Sequence, residues 1–539
     1  MRNAMGGYTA TDPISSVFFN PVALTTDQLN VTDRVLANMI GGFKYEDIVP
    51  GLSFNLQYGV NYLGYDNKTF AGKVVNSGSS SASLRSNKEF RLQNSNTLNY
   101  HRSFGHHTID LTGVMEYQQS TYNYVAAGAS NLTYESFMWN NLAQGTAGNP
   151  SSGYSKNSIF SLVGRAMYGY KDKYLLSAAL RRDGSSKFVG DNKYAYFPSV
   201  SAGWVLSEED FLKDAGMFSL VKIRGSWGWT GNEGIGAYST YSAYGNRVAS
   251  FTNGTSVTGL VLNNIGNPEL KWETTEQKNL GIELGIMNNR FTLTADVFQK
   301  DTRDLLLTEL LPFYLGGNPI TRNVGAVQNK GLEIALEGMV IDKGAFTWNS
   351  WLNFSFIKNR VQSIGNSDII FDNNRKLGGG MSPQPEFIVR PGDPLGAIWG
   401  LTYLGTWKPG DETKANEFGA KPGDARYLDK NTDGVIDAED YDVIGNGIPT
   451  FSLGFNNTFN YKNFSLNFLL HALTGFDRLN YNNAATMYLG GDAREATNVQ
   501  IKDRYIPGVN ETSNIPAFST TNRNFTQSTR FLEKADFYG

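Results

Sequence analysis

From Phe451 to Ala472 apolar and polar residues alternate with a period of two around a break at Tyr461-Lys462-Asn463. Phe451, Leu453, Phe455 and Phe459 oppose Ser452, Gly454, Asn456, Thr458 and Asn460. Beyond the break, Phe464, Leu466, Phe468, Leu470 and Ala472 oppose Ser465, Asn467 and His471. Successive side chains of a strand point to opposite faces, so the segment predicts a hairpin with one apolar and one wet face. The pattern recurs at Phe54–Tyr62, Ile109–Tyr117, Phe291–Val297, Leu332–Val340 and Phe346–Phe356. Roughly sixteen strands are predicted along the chain by these signals.

The predicted connections fall into two lengths. Short ones include Phe104-Gly105-His106-His107, Lys171-Asp172-Lys173, Asn288-Asn289 and Asp342-Lys343-Gly344-Ala345. Long ones run from about Thr230 to Trp272, Thr302 to Lys330 and Lys358 to Pro449. Short turns at one end and long loops at the other are the signature of an outer-membrane β-barrel. Tyr168, Tyr170, Tyr174, Tyr461 and Phe464 flank short turns, where an interfacial aromatic girdle belongs. A secreted all-β protein with decorated hairpins is the competing reading of the same periodicity. It leaves loops of this length without a reason.

Composition agrees with many strands and turns. Among 539 residues 18% are charged and 13% aromatic, and there are 58 glycines; soluble domains average about 25% charged residues and about 7% glycine. A net charge of -3 speaks against a nucleic-acid partner. With no cysteine, disulfide frameworks, thiolate metal sites and cysteine nucleophiles are excluded. No apolar run is long enough for a transmembrane helix, which a barrel does not need. The opening residues, Met1 to Tyr8, lack the apolar stretch of a signal peptide, and the expectation drawn from this is a fragment of an exported protein.

One motif has metal-binding spacing. Asp429, Asn431, Asp433, Val435 (through its carbonyl), Asp437 and Asp440 fall at positions one, three, five, seven, nine and twelve of a calcium-type loop, with Gly434 at the turn. Position twelve is aspartate where the usual loop has glutamate, and strand signals rather than helices follow. The expectation is a structural Ca2+ that stiffens residues 429–440, weighed against a solvated acidic turn. The four histidines, His101, His106, His107 and His471, read as solvated or wall-facing, and Glu208-Glu209-Asp210 as a solvated loop edge. No His-Glu-x-x-His or Gly-x-Ser-x-Gly motif occurs, so no catalytic residue is assigned and the chain is not read as an enzyme. Trp399, Tyr403, Trp407, Tyr238, Tyr241 and Tyr244 crowd the long loops, where they suit either ligand contact or loop packing.

A series of segments resembles the SusC/RagA class of TonB-dependent outer-membrane transporters of Bacteroidota. It runs through Arg181-Arg182-Asp183-Gly184-Ser185-Ser186-Lys187-Phe188, Tyr196–Trp204, Asn267-Pro268-Glu269-Leu270-Lys271-Trp272-Glu273 and Asn279-Leu280-Gly281. It continues at Asp301–Leu306, Asn323-Val324-Gly325, Asn329-Lys330-Gly331-Leu332-Glu333, Ile444-Gly445-Asn446 and the Tyr461–Phe464 turn. The resemblance implies an all-β fold, a large antiparallel transmembrane β-barrel of 22 strands around an N-terminal plug. It also implies import of glycans or oligopeptides driven by TonB, under a SusD-like surface lipoprotein. Residues 1–539 are expected to be a partial barrel of about sixteen strands in outer-membrane lipid, without plug, TonB box or last strands, and 359–449 its long extracellular loop region. The other functions considered are a non-transporting surface binding barrel and a secreted β-rich glycan-active enzyme.

Overall fold

The computed structural model describes residues 21–539 apart from 47–48, 214–215, 251–255, 312–318, 373–384, 488–497, 519–523 and 525, so the opening Met1–Tyr8 lies outside the described residues. A 16-stranded antiparallel sheet dominates. Its strands are β1 (Gln28–Glu46), β2 (Leu52–Ala71), β3 (Ser81–Phe104), β4 (His107–Ser130), β5 (Ser151–Tyr170), β6 (Tyr174–Ser185), β7 (Tyr194–Val205) and β8 (Phe218–Asn232). They continue with β9 (Glu273–Ile286), β10 (Phe291–Arg303), β11 (Ala326–Lys343), β12 (Phe346–Ser363), β13 (Phe451–Tyr461), β14 (Phe464–Thr474) and β15 (Phe537–Tyr538). Each pairs with its neighbours in chain order, and the short Thr146–Ala147 strand adds to β4. This up-and-down order is that of an outer-membrane barrel wall.

Register shows why the alternation matters. Leu280 stands opposite Val297, Val297 opposite Leu332, Leu332 opposite Phe356, and Phe356 opposite Phe451. One apolar row thus crosses five strands on one face. A second row runs Leu111–Ala166–Ala178–Val200–Trp227. Leu280, Val297, Leu111, Val200, Trp227 and Phe451 are exposed. Water does not tolerate an apolar field of this extent, whereas hydrocarbon does, and a one-residue slip in any strand would turn its polar side chains into it.

The short connections lie where the sequence places them. Phe104 pairs with His107, Tyr170 with Tyr174, Lys343 with Phe346 and Tyr461 with Phe464. Lys171 and Asp172, Asn288 and Asn289, and Lys462 adopt positive φ in their turns. Around two of these turns aromatic rings gather: His107 lies 5.0 Å from Tyr170 and 5.4 Å from Phe104, and Tyr174 stacks on Trp204 at 6.3 Å. The histidines here are therefore not simply solvated: the His107 ring bonds Tyr168 Oη at 2.7 Å, and His101 pairs with Asp110.

Glu209 also departs from the solvated-edge reading. Its carboxylate accepts from Tyr174 Oη at 2.7 Å and Trp204 Nε1 at 3.0 Å, and pairs with Lys173 at 3.3 Å. The Tyr174 and Trp204 hydrogen bonds, with Lys173 after them, hold its carboxyl below the usual glutamate range. A depressed folded-state pKa contributes stability above the unfolded value, and that contribution is lost as pH falls through the folded value. Acidification below the ordinary carboxylate range is thus expected to free the 206–213 segment. Limited proteolysis of this segment against pH checks it: Glu209→Gln should make cleavage pH-independent in that window.

Two expected loop limits are corrected. β11 begins at Ala326 rather than after Lys330, and β12 runs to Ser363, so the long loop starts at 364 rather than 359. The reason is a small core: Val327 faces Val361 across the ladder, and both pack with Ile364 at less than a tenth exposure.

Candidate functional site

The face opposite the apolar rows is polar and charged. Arg181 of β6 donates from Nε to Asp183 at 2.8 Å, and from Nη2 to Ser161 Oγ at 2.9 Å and Glu116 at 3.3 Å. Further round the wall, Arg224 of β8 pairs with Glu283 at 2.8 Å and with Asp296 at 2.7 Å, and Lys222 reaches Glu283 at 3.3 Å. Arg224 and Asp296 sit on strands that are not neighbours; both stand opposite Gly281 of the strand between them. A Cβ on Gly281 would lie 2.4 Å from Asp296 Oδ1 and 3.1 Å from Arg224 Cζ. The glycine leaves the gap through which the pair closes. His471 falls on this same face, lining a cleft with Asp296, Glu333, Asn353 and Ser452.

At the loop end, segments singled out in the sequence converge. Phe188, Phe197, Ile235, Leu270 and Trp272 form one buried cluster, and Trp272 Nε1 donates to Lys193 O. Asn323 accepts from Lys271 N at 2.9 Å and donates to the carbonyls of Lys271 and Asp304, while Lys271 Nζ pairs with Asp304 at 3.0 Å. The loops at 267–272, 304–306 and 323–325 are thus riveted into a single rim.

The long loop after β12 folds with the segment between β14 and β15. Ile398 packs with Leu479, Ala484, Met487, Ile501 and Phe531, and a second cluster joins Ile388, Trp399, Leu401, Tyr427 and Tyr441. The two segments exchange backbone bonds, Leu401 N to Gln527 O at 3.0 Å and Thr529 N to Leu401 O at 3.0 Å. Lys408 Nζ is held by the carbonyls of Thr512 (2.9 Å) and Ser513 (2.6 Å) and by Thr406 Oγ1 (2.8 Å). Trp399 and Trp407 are buried in this folded cap, whereas Tyr238, Tyr241 and Tyr244 are exposed.

The loop 429–440 lies on the surface of this cap. Asp429 accepts from Thr432 N at 2.7 Å and Gly434 N at 2.9 Å; Asn431 Oδ1 accepts from Asp433 N and Asp433 Oδ1 from Val435 N. Asp437 accepts from Glu439 N, and the buried Asp440 accepts from Lys430 N at 2.7 Å and Asp437 N at 2.8 Å. A 3-10 turn at Ala438–Asp440 and a strand at Asp442–Asn446 follow, with no flanking helix pair. The donor types and order suit a hard cation. As folded, however, the carboxylates serve the loop's own amides, and among the described residues no three acidic or histidine side chains converge on one point. Asp442 beside the loop is pushed up by burial but held below the usual aspartate range overall by Lys430, Arg390 and the Val443 amide.

The comparisons with known proteins agree with this architecture. Residues 6–469 match the family model described as TonB dependent receptor-like, beta-barrel. The chain is 32% identical over 507 residues to TonB-dependent receptor P3 of Formosa agariphila, covering 92% of this chain and 49% of that protein. It is 30% identical over 331 residues to TonB-dependent receptor SusC of Bacteroides thetaiotaomicron, 59% of this chain and 31% of that protein. The chain thus spans about half the length, or less, of the curated relatives it matches. Among solved structures, the RagAB peptide transporter superposes with a TM-score of 0.83 at 20% identity, over 99% of this chain and 58% of that one, a likeness of fold. These relatives are named as receptors and transporters rather than enzymes. The chain belongs to the TonB-dependent receptor family of outer-membrane β-barrel proteins.

Proposed function

We propose that this chain supplies the channel wall and the extracellular cap of an importer for glycans or oligopeptides, driven by TonB through a plug region and working with a SusD-like surface lipoprotein. The observation that carries the reading is the two-faced sheet. Apolar rows meet lipid on one side, a charged wall faces a lumen on the other, and long loops at one end build a folded surface for a partner. A glycan-active enzyme would need paired carboxylates about 5 to 10 Å apart in one cleft.

Uptake by cells tests it. Fluorescent oligopeptides and fluorescein-labelled glucans are offered to strains with and without the gene, and with and without TonB. Accumulation of either class that needs both genes is expected. Accumulation that ignores TonB would end the importer reading.

We also infer that the 429–440 loop takes a structural Ca2+, with Asp429, Asn431, Asp433, Val435, Asp437 and Asp440 as ligands. Support comes from donor order and from the lone pairs that each carboxylate keeps after serving one or two amides. Calcium is expected to slow protease cleavage within 429–440, and Asp433→Ala to abolish that protection. Identical cleavage of the wild-type loop with calcium and with chelator would remove the site.

A further inference from the structure

A cavity of about 500 Å³ lies in the cap between the helix Glu412–Glu417 and the Gly434–Ala438 stretch of the acidic loop. Its aromatic wall is Trp407, Phe418, Tyr427 and Tyr441, and its polar side chains are Glu417, Asp424, Asp437 and Thr526. Among the described residues lining it there is no lysine, arginine or histidine. The volume falls within the range of small-ligand pockets.

We propose that this cavity binds a cationic side chain on an apolar stem, the lysine or arginine side chain of a basic peptide. The argument is one of matching donors to acceptors. The carboxylates of Glu417 and Asp424 only accept hydrogen bonds, while the hydroxyls of Thr526, Tyr427 and Tyr441 accept as well as donate. Ammonium and guanidinium groups only donate, and they meet the carboxylates with charge-assisted hydrogen bonds. A sugar hydroxyl carries no charge to match them. Asp424 already accepts from Lys421 N at 3.0 Å and Asn524 Nδ2 at 3.4 Å and keeps lone pairs for a further donor. Glu417 stands exposed at the helix end, and Asp437 is left to the acidic loop.

The aromatic wall adds a second attraction. Ring faces favour cations within about 6 Å, more so when water is excluded. Trp407 shows this chemistry within the chain: the Arg426 guanidinium already sits 4.7 Å from its ring centroid. The apolar stem of a lysine or arginine would pack against Tyr427, Tyr441 and the buried Leu401. The site is separate from the polar wall, and its existence does not require import.

Calorimetric titration of the detergent-solubilised full chain tests the proposal. The probes are Nα-acetyl-arginine amide and Nα-acetyl-lysine amide, against the uncharged Nα-acetyl-norleucine amide and maltose. The cationic probes should bind at least about tenfold more tightly than norleucine amide, the difference of one charge-assisted hydrogen bond. Glu417→Gln, on an exposed helix that tolerates it, should weaken them about tenfold. Ala420→Trp, which fills the cavity, should abolish binding. Equal affinity for norleucine amide, preference for maltose, retained binding in Ala420→Trp, or no binding of the cationic probes at millimolar concentration would each overturn the assignment.

Discussion

Val297→Arg is expected to prevent stable insertion of the barrel, while Thr294→Arg, three residues away, leaves it folded. Val297 is 59% exposed and lies between Leu280 and Leu332 in the row that continues to Phe356 and Phe451. β10 begins at Phe291 beside a short turn, so Val297 sits well inside the apolar band. An arginine on the lipid face near mid-membrane costs about 2–4 kcal/mol, a large part of a typical stability of roughly 5–15 kcal/mol. Thr294 faces the other way, opposite Glu283 and Ala335, where water and a carboxylate receive a cation. Heat-modifiable migration on gels and urea unfolding in lipid vesicles read the contrast directly. If both variants lose stability alike, the two-faced account of the sheet is wrong.

What could be read from residues alone divides along the range of the interactions. The wall was legible because its rule is local: period-two alternation and short turns place Phe346–Phe356 and Phe451–Phe464 without knowledge of any partner. The resemblance through Arg181–Phe188, Asn267–Glu273 and Asn279–Gly281 added the family, and the fold agrees. The cap was not legible. Its bonds join residues more than a hundred positions apart, such as Gln527 Nε2 to Pro385 O at 2.9 Å and Thr406 Oγ1 to Ser513 O at 2.6 Å. No periodicity announces such contacts, so for Trp399 and Trp407 the sequence leaves ligand contact and loop packing both open, and the fold buries them in loop packing. Glu209 was missed because nothing in Glu208-Glu209-Asp210 tells that Tyr174, at the start of β6, pairs with Trp204 of β7 and that both meet its carboxylate. Among candidate site residues, the 429–440 motif gave its own turn geometry correctly, with Gly434 at positive φ, because an Asx-rich loop bonds chiefly to itself.

Gly281→Ala is expected to cost about 2–3 kcal/mol, although alanine suits a strand better than glycine does. The added Cβ would meet Asp296 Oδ1 at 2.4 Å, closer than carbon and oxygen approach, with Arg224 Cζ at 3.1 Å. Asp296 is held on an almost buried site, 8% exposed, and its Oδ1 has no hydrogen-bond donor. It therefore has little room to retreat, and moving it breaks the 2.7 Å bond to Arg224 Nη2. Full loss of a buried pair costs about 3–5 kcal/mol; Arg224 is partly solvated and keeps Glu283 at 2.8 Å, which lowers the figure. Gly164→Ala is the control, since nothing lies within 4 Å of its missing Cβ, and it should be neutral or slightly stabilising. The decisive measurement is a double-mutant cycle on urea unfolding. In an Asp296→Ala background the obstruction is gone, so Gly281→Ala should lose most of its effect. Full additivity of the two changes would mean that Gly281 serves the strand in some other way, and that the gap across β9 is incidental to the Arg224–Asp296 bridge.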